Sequence, residues 1–389
     1  MPQRHITRLL TAFAIGAAVP MRTRLAVIAA TACLPMLVAG QATAEPTYDF
    51  NDAHFHLTNY VQQGPDIHRF LEIMGDKVGR VVLFGIPLQQ TWSYENSGDF
   101  APTYYLQTDA PLYYYSFTDA WIAAQYLSLK PAERARFDPM ITGFNPADMY
   151  GVEHIKRVLR TFPGVFTGIG EFTIHKEFVS SKVAGDKASL TDPALDRIFA
   201  FCAESGLIAL LHNDIDMPFA KQGAEPVYLI QAKEVFRRHP GATIIWAHVG
   251  LGRVVHPVQS EASAGGTERP TGHLGIVQAM LDDPTLKHLY FDISWDEVAK
   301  YAVASPEATR RTADLINRYP DRFLFGTDEV APVDQEKYLK VYRMYDPVWQ
   351  LLTPEAREKV RKGNYERLFD AARKKVRAWE AANIKDKGN

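Results

Sequence analysis

The chain is poor in cysteine and carries no surplus of basic charge. Beyond its N-terminal segment it also lacks any long apolar run. Only Cys33 and Cys202 occur in 389 residues. Cys33 lies in a segment read below as removable, so an intramolecular disulfide is excluded from the mature chain. Cys202 sits in the apolar run Phe199-Ala-Phe-Cys-Ala203 and is expected to be simply buried. No stretch after residue 44 reaches the ~20 uninterrupted apolar residues that a membrane helix needs. Lysine and arginine number 43 against 45 aspartate and glutamate, with no basic stripe. Nucleic acid is therefore not expected as the main partner, because that binding rests on neutralising phosphates. There is no repeat shorter than a strand-helix unit and no low-complexity tract.

The first 44 residues contain Arg4, Arg8, Arg22 and Arg24 and no acidic residue. Met21-Arg-Thr-Arg24 gives a basic start, Leu25 to Gly40 an apolar middle, and Ala42-Thr43-Ala44 a small-x-small end suited to signal peptidase. The segment 1–44 is read as an export signal, with Glu45 as the mature start. Met21 alone would open such a signal, so residues 1–20 are read as a misassigned start. An uncleaved membrane anchor is the alternative. Apolar sequence continues past Cys33, which makes a lipoprotein signal a poor reading. The expected location is periplasmic or secreted. Removing four of the 43 basic residues leaves 39 against 45, a net charge of −6 on about 345 residues. That length suits one large domain, expected over 45–380. A polar tail over 381–389 is expected to fray.

Short apolar runs recur at Tyr48–Leu57, Arg80–Ile86, Met140–Phe144, Val165–Phe172, Leu207–His212, Thr243–His248, Leu289–Ile293 and Phe323–Gly326. Several are almost continuously apolar, as strands covered on both faces should be. Amphipathic stretches lie between them, at Val152–Thr161, Pro193–Ser205, Val227–Arg238, Gly275–Leu281 and Ala308–Arg318. Thr191-Asp-Pro193 opens one helix, Ser205-Gly206 closes it, and His239-Pro-Gly241 ends the next. Eight strands alternating with helices predict an α/β (β/α)8 TIM barrel. A doubly wound open sheet is the competing architecture. Residues 88–118 break the rhythm with Trp92, Tyr94, Phe100, Tyr104, Tyr105, Tyr113, Tyr114, Tyr115 and Phe117. This aromatic-rich insertion after strand two is expected over the barrel mouth, as a lid. Packing on the outer helices or a contact between subunits would use the same aromatics.

The triplet His54-Phe55-His56 carries the chemistry. Two imidazoles at i and i+2 on an extended strand share a face and can meet on one metal ion. Single metal-type residues then close later strands. Glu171 ends strand four, His212 strand five, His248 strand six and Asp328 strand eight. In a parallel barrel these ends meet at one mouth. Imidazoles and carboxylates suit zinc best, with manganese, iron or nickel as alternatives. Taken singly, His212 or His248 reads as a hydrogen-bonded structural residue, Asp328 as a helix cap, and Glu171 as a partner of Lys176. Arg253 and Lys176, just past His248 and Glu171, could bind a substrate anion or could be solvated charges. His175 and His256 also fall near the mouth without reading as ligands. His68, His154, His239, His273 and His288 read as structural or exposed.

His-x-His on strand one, single histidines on strands five and six, and aspartate on strand eight resemble the amidohydrolase superfamily. The subgroup it looks like is the "amidohydrolase 2" type, which includes amino-carboxymuconate semialdehyde decarboxylase. Lys362-Gly-Asn-Tyr-Glu-Arg-Leu-Phe369 is similar to that group's closing Gly-Asn-x-x-Arg-Leu-Phe segment. The resemblance covers roughly residues 48–370. Gly168-Ile-Gly-Glu171 is also similar to the Gly-Glu segment of TatD-type nucleases, where the glutamate ligates metal. A glutamate stands where some relatives carry a carboxylated lysine. The resemblance implies one tightly held divalent ion, and a second only if Glu171 bridges. The long insertion departs from short-loop members and leaves the substrate open.

The expected chemistry follows. His54, His56, His212 and Asp328 hold or border a divalent ion that lowers the pKa of water toward ~7. Asp328 takes the proton from that water and passes it to the leaving group. His248 polarises the substrate carbonyl or assists the water, as the resemblance suggests. Glu171 is a further ligand or orients one. The expected reaction is hydrolysis of an ester, lactone or amide of a small molecule. Three alternatives stay open: decarboxylation or hydration of an unsaturated or aromatic carboxylic acid, TatD-like phosphodiester cleavage, and metal binding without catalysis. The net charge of −6 weighs against a nuclease. A homodimer is compatible with this architecture.

Overall fold

A computed structural model describes residues 47–60, 63–86, 90–91, 117–176, 179–183, 186–187, 189–215, 226–252 and 272–384. The N-terminal segment, Arg253, His256 and nearly all of the aromatic insertion lie outside the described residues. At the insertion's two ends, Gln90–Thr91 pairs antiparallel with Ser180 and Ser181, and Thr118–Ser128 is a helix.

Eight parallel strand positions follow in chain order. They are β1, in two pieces, Phe50–Asp52 and Phe55–Tyr60; β2 Val78–Ile86; β3 Phe137–Ile141; β4 Gly168–Lys176; β5 Ile208–Asn213; β6 Thr243–Trp246; β7 Leu289–Asp292; and β8, again in two pieces, Phe323–Leu324 and Glu329–Val330. The first piece of β8 pairs with β7, and the second pairs with β1 through Glu329↔Phe55 and Val330↔His56. One strand position therefore joins both ends of the sheet, closing the barrel that the alternation of elements predicts.

The period of two sorts side chains into two cores. Val82, Phe84, Met140, Ile208, Leu210, Ile245 and Leu324 form the inner cluster, and their neighbours Val81, Leu83, Ile141, Ala209, Leu211, Ile244 and Phe323 face the helices. The inner cluster is completed by Tyr365, Leu368, Phe369 and Ala372 from the helix Asn364–Asn383. That helix extends three residues into the segment expected to fray, held by buried Val376, Trp379 and Glu380.

The helices start where local chemistry sets them. Asp192 accepts the Ala194 N–H ahead of Pro193–Ser205, with Pro193 in the first turn, and Gly206 ends it at φ 82°, a conformation glycine adopts without cost. Ser305 does the same for Pro306–Arg318. Cys202 is buried, and burial pushes its thiol pKa up.

Most strand boundaries fall a few residues from expectation, and three of these shifts involve buried polar residues. β3 begins at Phe137 rather than Met140 and takes in Asp138, which is fully buried. Asp138 is held by Arg80 at 2.8 Å, Arg373 at 2.6 Å and the Tyr365 hydroxyl at 2.8 Å. β4 runs on to Lys176, so Glu171 lies inside the strand, beside register shifts against β5. β6 stops at Trp246, and His248 lies in the turn Ala247–Gly250 with φ 55°. No helix among the described residues is long and apolar enough to cross a membrane.

Candidate metal centre

His54 occupies the bend between the two pieces of β1, and His56 stands two residues on. Their ring centroids are 5.3 Å apart. Asp328 lies between the two pieces of β8, where its N–H donates to the His54 carbonyl at 2.8 Å. This close approach depends on Gly326, where a Cβ would fall 2.6 Å from the His54 Cβ. Asp328, His248, Val249 and Trp295 all have positive φ, from 49° to 80°. Such backbone is uncommon outside glycine and concentrates at functional sites.

The side chains converge. Asp328 Oδ1 lies 3.1 Å from His56 Nε2 and 3.2 Å from His54 Nε2. Glu171 Oε2 lies 3.4 Å and 3.7 Å from the same two nitrogens. One ligand-type atom from each of these four residues lies within 4.8 Å of every other. Glu171 Oε1 faces the other way, 2.6 Å from His212 Nδ1 and 3.5 Å from His248 Nε2. Glu171, His212 and His248 thus make a second group sharing the same carboxylate. His212 is engaged on its far side too, with Nε2 3.2 Å from Asp214 Oδ1.

The expected ligands therefore meet, in two adjoining sets. His54, His56, Glu171 and Asp328 form one, while His212 and His248 reach it through Glu171. Lys176 lines a pocket of about 250 Å³ together with His56, Glu171, Trp295, Asp328 and Lys337. Its ammonium lies 5.9 Å from the centre of the Trp295 ring. Arg253, the other expected anion contact, falls outside the described residues.

Sequence reasoning missed two buried carboxylates. Asp292, at the end of β7, accepts from His54 Nδ1 at 3.0 Å. It also accepts the His248 N–H at 2.9 Å and the Ser294 hydroxyl. Asp52 accepts from the His54 N–H, the Thr327 N–H and hydroxyl, and the Tyr338 hydroxyl. It ties β1 to β8 behind the site, and burial raises its pKa to about 6 against those hydrogen bonds. Asp292 closes the apolar run Leu289-Tyr-Phe-Asp292, the same signal that marked Asp328.

The electrostatics favour positive charge at the centre. Burial would raise the carboxylates, but His212 beside Glu171, and His248 and His54 beside Asp328, hold both well below the usual range. Burial would lower His54, yet the charges of Asp292 and Asp328 push its pKa well above the ordinary value. Burial prevails at His248 and lowers it.

A divalent ion fits these residues. In the neutral ring, donation from His54 Nδ1 to Asp292 leaves Nε2 as a lone pair. That Nε2 is buried without a hydrogen-bond partner, although it faces two carboxylate oxygens. Lone pairs and carboxylates this close repel unless a proton or a metal cation stands among them, and the raised pKa of His54 is the same preference for positive charge. The nitrogen and oxygen donors match zinc, manganese, iron or nickel.

A family model described as amidohydrolase matches residues 52–371. No curated protein matches the chain. An uncharacterized TIM-barrel protein from Bordetella bronchiseptica is 16% identical over 83% of this chain and 99% of its own, with a TM-score of 0.50. A structure of 2,6-dihydroxybenzoate decarboxylase complexed with 2,6-dihydroxybenzoate is 12% identical over 83% and 100%, with a TM-score of 0.51. The 2,6-dihydroxybenzoate decarboxylase from Rhizobium is 12% identical over 83% and 99%, with a TM-score of 0.49. At such identities the first two likenesses speak to the fold alone.

Proposed function

Since the chain belongs to the amidohydrolase family, we propose that it is an exported metal-dependent hydrolase acting on an ester, lactone or amide bond of a small molecule. The observation that carries this reading is the meeting of His54 Nε2, His56 Nε2, Glu171 Oε2 and Asp328 Oδ1. His54, His56, Glu171 and Asp328 would hold one divalent ion, zinc by preference. His212 and His248 would join Glu171 around a second if one binds. Bound there, the cation lowers the pKa of water toward ~7 and polarises a carbonyl.

The protein's own residues do the rest. Asp328 Oδ1 faces the two imidazoles of β1, and its Oδ2 lies 3.9 Å from His248 Nε2. That second oxygen takes the proton of the attacking water and returns it to the leaving group. His54 is oriented by Asp292, as a ligand imidazole commonly is by a carboxylate. The pocket lined by Lys176 and Trp295 receives the substrate. The basic start, apolar middle and Ala42-Thr43-Ala44 end of the leading segment support export to the periplasm or beyond.

The test is a panel of esters, lactones and amides, run beside aromatic acids monitored for carbon dioxide, on chelated and zinc-restored protein. Hydrolysis that returns with zinc is the expected result. Zinc-dependent carbon dioxide release without hydrolysis would replace the hydrolase by a decarboxylase on the same centre. Tight metal without turnover of any substrate would leave only a binding protein.

A further inference from the structure

His248 has two ring nitrogens in different surroundings. Its Nε2 is buried and has no hydrogen-bond partner, 3.5 Å from Glu171 Oε1 and 3.9 Å from Asp328 Oδ2. Its Nδ1 lies 2.9 Å from the Ser294 hydroxyl oxygen. The direction of that bond follows from counting protons. An ionised carboxylate only accepts, and a serine hydroxyl has one proton to give. Asp292 Oδ1 takes it, together with the His248 and Ser294 backbone N–H groups. The Ser294 oxygen is then left only with lone pairs toward the rings around it. It also lies 3.2 Å from His54 Nδ1, whose proton is directed to Asp292 Oδ2 at 3.0 Å. Both imidazoles must therefore present an N–H at Nδ1. Their rings lie 4.8 Å apart at 28°, and their two Nε2 atoms are both buried without a hydrogen-bond partner.

We infer that Ser294 and Asp292 are positioning residues that fix His248 in its Nδ1–H form, so that its Nε2 offers the centre a lone pair and not a proton. The consequence separates two roles left together above. A neutral His248 accepts at Nε2. It can ligate a cation beside Glu171 or take a proton, but it cannot polarise a carbonyl by donating a hydrogen bond until it has itself been protonated. The left-handed backbone at His248 supports the same arrangement, since it accompanies the bond from the His248 N–H to Asp292.

The role in catalysis rests on the proposed metal chemistry, but the state of the ring does not. The experiment is nitrogen NMR of the full chain labelled with 15N-histidine, metal-free and zinc-loaded at neutral pH. The signals of His248 are identified as those lost in His248→Gln. The expected spectrum has a protonated-type Nδ1 and an unprotonated-type Nε2. Ser294→Ala should shift both signals toward the average of a mixed tautomer, and Ser294→Thr, which keeps the hydroxyl, should restore them. A protonated Nε2 in the native metal-free protein would overturn the inference, whatever the variants do. Unchanged His248 signals in Ser294→Ala would overturn the part assigned to Ser294. Metal-dependent activity with the wrong tautomer sinks this inference alone. The right tautomer in a protein that needs no metal sinks only the proposed function.

Discussion

Asp292 Oδ2 accepts the Nδ1 proton of His54 at 3.0 Å, across 238 positions of sequence. The bond fixes which nitrogen His54 turns to the centre, and its partner oxygen holds the turn that carries His248. Asp292→Asn keeps the shape and removes the charge. Metal affinity and activity should both fall by about 10- to 100-fold, the usual cost of losing a carboxylate behind a ligand histidine. Competition against a chromophoric chelator measures the affinity. Native affinity in the variant would remove Asp292 from the account.

Glu171 touches four imidazoles, those of His54, His56, His212 and His248. Glu171→Gln should therefore cost more than the ~10- to 100-fold expected behind the centre. If the native protein binds two ions per chain, the variant should bind one or none, read by elemental analysis. Full metal content in Glu171→Gln would make Glu171 a bystander.

Much of this was legible in sequence because barrel strands advertise themselves. The runs around Val82, Leu210 and Ile245 are apolar on both faces, and a polar residue closing such a run stands out, as Asp328 does. Asp292 meets the same rule but does not stand out, because tertiary pairing with His54 and not local pattern gives it meaning. Asp52 was hidden beside the His54-Phe55-His56 triplet for the same reason. The expected end of strand six failed locally. Trp246-Ala-His-Val reads as a continuing strand, and the turn there goes with long-range bonds that the local sequence does not show, from the His248 N–H to Asp292 and from His273 to the Val249 carbonyl. Glu171 reads as a strand end because nothing in Gly168-Ile-Gly-Glu171 shows that pairing with β5 resumes at Phe172, Thr173 and His175. The early start of β3 was obscured by Asp138, whose charge is matched by Arg80 and Arg373 from elsewhere in the chain.

Burial pushes the pKa of His273 down from 6.5 to about 4, against the bond its Nε2 donates to the Val249 carbonyl. Between those values the unfolded chain binds a proton that the folded chain refuses. Stability should thus be unaffected above pH 6.5 and fall as pH drops through 6.5 toward 4, by up to about 3 kcal/mol from this group. Urea unfolding at pH 7.5 and pH 5 reads the loss, and His273→Gln should show a smaller one. An equal loss in both proteins would contradict the assignment.

Asp138 anchors the C-terminal helix to the barrel through Arg373 and Tyr365, and it also binds Arg80. Asp138→Ala leaves two guanidinium groups without their anion. Both are part-exposed, so the loss should be about 2–3 kcal/mol, below the full cost of breaking a buried pair. The midpoint of urea unfolding should fall accordingly while metal content stays native. An unchanged midpoint would contradict the role given to Asp138.

The central claim is that His54, His56, Glu171 and Asp328 bind a divalent cation. Elemental analysis of the purified chain beside His54→Ala tests it most directly. The account predicts at least one divalent transition metal ion per native chain, removed by chelator together with activity, and little or none in a folded His54→Ala protein. A native chain that turns over substrate without metal, or a His54→Ala variant that keeps both metal and turnover, would contradict it.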